Sequence, residues 1–151
     1  MILHADDLPD DMRTQIGLLP GGKKPKRSKR KEAAEEFAFQ LRCHRFTGWV
    51  REHRFAKEEY GRLWRFDFAH PLLKVAVEID GLRVERIGNR TICTGRHSTV
   101  DGYREDCLKL ATAWVLGWQV PRFVQDQVFS GAAIGYVEQW YAARGIGRDG
   151  R

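Results

Sequence analysis

No run in this chain approaches the roughly 20 apolar residues of a membrane-spanning helix, so a membrane protein of that kind is not expected. The opening residues, MILHADDLPD, lack the basic, apolar and small-residue order of a secretion signal, and the reading is an intracellular, cytoplasmic protein. Cysteine is scarce. Cys43, Cys93 and Cys107 form an odd set that argues against a disulfide framework and fits reduced thiols. There is no GxSxG elbow and no phosphate-binding P-loop, and Gly145-Ile146-Gly147 falls in a tail expected to fray, so nucleophile-elbow hydrolases and nucleotide-binding enzymes are poorly supported. No internal repeat is present, which leaves out solenoids and propellers.

What remains is an ordinary globular composition. The 151 residues are 42% hydrophobic and 30% charged, and 5 Trp and 8 Phe supply enough apolar area for one domain. The net charge of +6 is concentrated. Lys23, Lys24, Lys26, Arg27, Lys29, Arg30 and Lys31 fall within nine residues without an acid, whereas from Glu32 onward 18 Lys plus Arg face 16 Asp plus Glu. Such a run is a solvated arm whose productive use is attraction to a phosphate backbone by counterion release. No apolar helical face accompanies it, so nucleic acid is favoured over a membrane surface.

The chain divides into a flexible extension with its basic arm (1–30), a single domain (31–145) and a short tail expected to fray (146–151). Ala34, Phe37, Ala38 and Leu41 recur at helical steps and predict a helix from about Ser28 to His44. A strand is expected over 49–56, with Val50 and Phe55 as anchors, then a polar turn over 57–62. Residues 82–101 read as a long irregular loop carrying Arg83, Arg86, Arg90, Arg96 and His97, a composition suited to facing phosphate. A second helix is expected over 102–116, with Tyr103, Cys107, Leu110, Ala111, Trp114 and Val115 as its core stripe and Arg104, Glu105, Asp106 and Lys109 on the other side. Gly117 ends it, Trp118–Phe123 reads as a strand for which Pro121 argues either an edge position or an irregular end, and a closing helix follows over 130–144.

The chain centres on WRFDFAHPLLKVAVEIDG, residues 64–81. Trp64, Phe66 and Phe68 alternate with polar residues before a His70-Pro71 turn, and Val75, Val77 and Ile79 alternate after it. Glu78 and Asp80 leave their strand on one face, and a hairpin pairing His70 with Val75 sets Asp67 across from Glu78. Three like charges in so small an area are destabilising unless a cation or a proton intervenes. Either a hard divalent cation such as Mg²⁺ holds them, or they form a solvated acidic face balanced by Arg65 and Lys74.

With this element order, the chain resembles the PD-(D/E)XK nuclease superfamily, and is similar to the small phage and bacterial endonucleases near the very-short-patch repair endonucleases and Holliday-junction resolvases. The resemblance runs over residues 31–125 and is carried by RFDFAHPLLKVAVEIDG and YREDCLKLATAWVLGWQVPRF. It implies an α/β fold with a restriction-endonuclease-like αβββαβ core, a mixed four-stranded sheet and, here, an extra C-terminal helix. It implies metal-dependent hydrolysis of DNA phosphodiesters in repair or recombination, with Mg²⁺ as cofactor and Mn²⁺ able to substitute. Asp67 and Glu78 take the positions of the motif acids, the carbonyl of Ile79 that of a further ligand, and Glu35, or else Glu36, that of the helix acid. Lys23, Lys24, Lys26, Arg27, Lys29, Arg30 and Arg96 are the expected contacts to DNA. Resolvases of this superfamily work as dimers, so a homodimer is compatible with the resemblance.

Two departures stand out. Phe66 replaces the motif proline, and Asp80 stands where the motif lysine belongs. Lys109 or His97 could supply the missing group, and Asp80 could instead hold a second metal. The loss of that lysine also leaves open a catalytically inactive DNA-binding relative of the same fold; a third reading is a protein-interaction factor using the arm as a docking or localisation tail. A zinc site from Cys93, His97 and Cys107 with Cys43-His44 is disfavoured by irregular spacing and by the placement of Cys107 on the expected core stripe.

Overall fold

The computed structural model describes residues 29–151 except 82, 88–89 and 95–99, and gives backbone alone for 83–87 and 90–94. It is a mixed α/β domain. Helix α1 (Lys29–Cys43) leads into β1 (Val50–Arg54), the single-turn helix α2 (Lys57–Tyr60), β2 (Arg65–His70) and β3 (Val75–Asp80). Then come β4 (Arg83–Ile87), β5 (Arg90–Thr94), α3 (Val100–Val115), β6 (Arg122–Val124), α4 (Gln125–Phe129) and α5 (Ala132–Ala142). Among the described residues no helix is long and apolar enough to cross a membrane.

The main sheet has the order β1-β2-β3-β6. The first three strands are antiparallel, while β6 runs parallel to β3, reached through the crossover that contains α3. The hairpin has the register that its alternation dictates, with His70 opposite Val75 and Phe68 opposite Val77. Pro121 sits just before the edge strand, where it has no ladder donor to lose, and its carbonyl accepts from the Glu78 amide at 3.2 Å.

Residues 82–101 differ from the irregular loop expected of them. β4 and β5 pair antiparallel as a separate two-stranded ribbon, from Arg83 opposite Thr94 to Ile87 opposite Arg90.

The two faces of the sheet carry separate halves of the core. Phe68, Val77 and Ile79 pack with Ala33, Phe37 and Leu41 of α1, Val128 of α4 and Ile134, Val137 and Tyr141 of α5. Ala69 and Ala76 pack with Phe55, Phe66, Trp118 and Ala113 of α3 on the other side. Phe66 and Phe68 therefore lie in different halves, contrary to the simple alternation of the sequence. The break falls at Asp67, which lies across from Glu52, a residue with φ of 53° between the pairs Arg51–Phe68 and His53–Phe66. Val50, expected to anchor β1, is exposed, whereas Phe55 stacks on Phe66 with ring centroids 4.0 Å apart.

Helix α3 ends as expected. Gly117 takes φ of 80°, its amide bonds to Trp114 O and the Trp118 amide to Ala113 O, the paired bonds of a Schellman motif. Its orientation is the reverse of the expected one. Tyr103, Cys107, Trp114 and Val115 are exposed, Ala113 is buried, and Asp106 and Lys109 lie on the inward side. The inward side is polar because it walls a polar cavity. The terminal GIGRDGR does not hang free as expected: Arg148 O accepts from Thr47 N, its guanidinium reaches His44 O at 2.8 Å and Glu138 at 3.1 Å, and Gly147 N bonds to Arg151 O.

Candidate active site

A cavity of about 490 Å³ opens where β2, β3 and β6 meet the N-terminal ends of α1 and α3. Asp67, Glu78 and Asp80 line it together with Arg30, Lys109, Arg122, Asp106 and Trp64. The alternation that sends Val77 and Ile79 into one half of the core turns Glu78 and Asp80 to the other face.

Asp67 is held at both oxygens. Oδ2 accepts from the Ile79 amide at 2.8 Å, so the carboxylate takes a strand donor where the β2–β3 ladder stops. Oδ1 accepts from Arg30 Nη2 at 2.6 Å, and Arg30 Nε donates to Ile79 O at 2.8 Å. Arg30 continues the buried stripe of Ala33, Phe37 and Leu41 by one turn, which aims its side chain at the sheet rather than at solvent.

Among the described residues Glu78 and Lys109 form the most enclosed ion pair, with side chains 13% and 15% exposed and Oε1 2.7 Å from Nζ. Burial raises the pKa of Glu78 above the ordinary glutamate value, and Lys109 opposes the rise; the nearby Asp67 charge adds to it and Arg122 opposes it further. Asp80 is gripped by both arms of Arg122, at 2.9 and 2.8 Å, and the same guanidinium lies 3.4 Å from Asp106.

The structure thus unites Asp67, Glu78, Asp80 and Lys109, together with the Ile79 carbonyl. It also corrects the premise that only a divalent ion makes the acids tolerable together: Arg30, Lys109 and Arg122 each compensate one of them. Among the described residues no three His, Cys, Asp or Glu side chains form a ready-made cation cage. The donor set is nonetheless of the kind a hard divalent ion takes: the Asp67 and Glu78 carboxylates line one cavity, and the Ile79 carbonyl is tied to Asp67 through Arg30, with the protein's own cations on those oxygens.

Glu35 is a correction. It lies outside the cavity, half exposed, paired with Arg51 of β1 at 3.1 Å, because the buried stripe through Ala33 and Phe37 turns it over β1. Glu36 accepts from Gln40 at 3.0 Å, so α1 brings no acid to the site and contributes Arg30 instead. Arg30, read as part of the DNA-binding arm, is engaged with Asp67; Lys29 is exposed. Lys23, Lys24, Lys26, Arg27, Arg96 and His97 lie outside the described residues, as does the side chain of Cys93. Cys43 and Cys107 are exposed thiols, and His44 pairs with Glu138 at 2.8 Å.

Arg122 and Asp106 escaped the sequence reading. Arg122 is paired in register with Glu78 across the β3–β6 ladder, and Asp106 lies one helical turn before Lys109. Neither spacing has meaning until the parallel register is known. Compared with protein-family models, curated proteins and solved structures, the chain matches none.

Proposed function

We propose that the chain is a Mg²⁺-dependent endodeoxyribonuclease with a restriction-endonuclease-like fold, acting on DNA in repair or recombination. The observation that carries this reading is the meeting of Asp67 and Glu78, from adjacent strands, in one cavity that also holds Lys109. Asp67, Glu78 and the Ile79 carbonyl would hold the metal, with Mn²⁺ able to replace Mg²⁺. When bound, such an ion supplies an activated water and neutralises charge on the phosphate. Lys109 is the ammonium group that the motif lacks at position 80; from α3 it reaches Glu78 and offers two further donors to a water or a phosphate oxygen. Arg122 fixes Asp80 as a positioning group of the cavity wall. The basic residues preceding α1 add affinity for the DNA backbone without reading sequence.

The test is cleavage of supercoiled plasmid and four-way-junction DNA with Mg²⁺ by the wild type, Asp67→Ala and Glu78→Ala. Cleavage by the wild type alone is expected, and equal cleavage by all three refutes the assignment. A second reading, a catalytically inactive DNA-binding relative, is favoured by one observation: every acid of the central hairpin already has its own side-chain cation. It requires salt-dependent DNA binding that persists in EDTA, with no cleavage by any of the three proteins.

A further inference from the structure

The guanidinium of Arg30 lies against two of the oxygens that the proposed metal site would use. Nη2 donates to Asp67 Oδ1 and Nε to Ile79 O, at 2.6 and 2.8 Å. The second oxygen of Asp67 is committed to the Ile79 amide, so Oδ1 is the one left for an ion. The stem of Arg30 lies across Gly81, where a β-carbon would stand 3.5 Å from its Cβ and 3.6 Å from its Cδ. Yet the Arg30 side chain is 39% exposed, against 14% for Asp67, so Arg30 is the partner with room to swing into solvent while Asp67 stays in the cavity wall. Arg30 is also the penultimate residue of the basic run 23–31, directly joined to the cations expected to meet a phosphate backbone.

We infer that Arg30 is an internal stand-in cation, a latch that closes the Asp67–Ile79 oxygen pair until it swings out to a DNA phosphate and a divalent ion takes its place. This inference rests on the metal-dependent reading above. The physical basis is competition for the same lone pairs. Oδ1 and the Ile79 carbonyl cannot hold both the fork of a guanidinium and a closely coordinated divalent ion, so each excludes the other. A phosphate that attracts Arg30 thereby raises the affinity for the ion. By thermodynamic linkage the ion raises the affinity for DNA by the same factor. The latch also keeps Asp67 compensated when no ion is present, which removes the need for a resident metal to stabilise the fold.

The test is a calorimetric titration of the full chain with Mn²⁺ alone, comparing wild type, Arg30→Gln, Arg30→Lys and Asp67→Asn, with circular dichroism to establish folding. Arg30→Gln is expected to bind Mn²⁺ about tenfold more tightly than wild type, within the usual range of coupling between sites. Arg30→Lys, which keeps the charge but not the fork, is expected to fall between them and serves if the glutamine variant does not fold. A duplex oligonucleotide, checked for integrity in the same samples, should tighten Mn²⁺ binding to wild type by a larger factor than to Arg30→Gln, and an equal factor in the two overturns the latch. Equal Mn²⁺ affinity in wild type and both Arg30 variants, with binding lost in Asp67→Asn, overturns the latch and leaves the metal site standing. Weaker binding after loss of Arg30 also overturns it. No Mn²⁺ binding by any of the four proteins removes the metal reading itself, and the latch with it.

Discussion

Lys109 Nζ lies 2.7 Å from Glu78 Oε1, and the two side chains are the most enclosed charged pair described in the molecule. A pair this sheltered is costly to break from one side, because the remaining charge stays buried without a partner. Lys109→Met should therefore destabilise the domain by about 3 kcal/mol in urea unfolding. It should also abolish cleavage, since it removes the proposed replacement for the motif lysine. The double variant Lys109→Met/Glu78→Gln should recover most of the stability and none of the activity. Stability of the single variant equal to wild type would show that the pair is solvent-screened rather than buried.

The same pair sets a pH dependence. Burial holds the pKa of Glu78 above 4.5, and Lys109 restrains the rise. A raised carboxyl pKa means that the folded state binds more protons than the unfolded one, so this group's contribution to stability is present below 4.5 and lost as pH rises through the folded value. The proposed ion binding needs Glu78 ionised, so the acidic limb of the kcat/KM profile should lie above 4.5. Lys109→Arg, which keeps a cation beside the carboxyl, should leave that limb near its wild-type position. Substitution of Arg122, the other cation that lowers this pKa, should move it upward. A limb that stays fixed in Arg122→Gln would place the titrating group elsewhere.

Much of this site could be read before folding, and the remainder failed for a physical reason. The hairpin was legible because a Pro-containing turn between two alternating runs permits few registers, and the pairing of His70 with Val75 follows. Helix α3 was oriented wrongly because hydrophobic periodicity assumes that the inward face is apolar. Here Asp106 and Lys109 face a polar cavity while Tyr103 and Trp114 face outward. Arg30 was hidden by its neighbours: inside a run of like charges it reads as part of an arm, although it also continues the stripe of Ala33 and Phe37. Glu35 was misplaced by the same one-residue rotation, since the buried alanine is Ala33 and Ala34 is only partly covered. In β4 and β5 the β-branched Thr91, Ile92 and Thr94 carried a strand signal that the glycines at 88 and 95 obscured.

At the far end of the hairpin, His70 is 3% exposed, and its Nδ1 accepts from the Leu73 amide at 3.3 Å. Gly48 makes room for the ring. At φ of 80° a β-carbon there would fall 2.3 Å from His70 Nε2, so Gly48→Ala should destabilise the domain by about 3 kcal/mol or more. Burial also lowers the pKa of His70 below 6.5. A depressed histidine contributes stability that is complete above 6.5 and lost as pH falls below it, because the unfolded chain then binds the extra proton. The urea midpoint should therefore fall between pH 7.5 and about 5.5. His70→Phe should flatten that fall without removing it, since burial and the Lys74 charge depress His53 as well. An unchanged slope in His70→Phe would assign the effect to other groups.

Arg122 answers a different question, whether the cavity's acids accept a foreign cation when an internal one is removed. Its guanidinium grips Asp80 at 2.8 and 2.9 Å, lies 3.4 Å from Asp106 and lowers the pKa of Glu78. Arg122→Gln leaves these acids facing one cavity with less positive charge, and should cost about 2 kcal/mol in EDTA through lost charge-assisted hydrogen bonds. Added Mg²⁺ should restore part of that loss, because an ion that binds only the folded state stabilises it by mass action. The melting-temperature rise between EDTA and millimolar Mg²⁺ should then be larger in Arg122→Gln than in wild type, and NaCl of equal ionic strength should not reproduce it. A rise equal in both proteins would mean that the divalent ion does not replace the missing charge. A rise reproduced by NaCl would mean that general screening relieves the repulsion, and the cavity would have no specific affinity for the ion at that position.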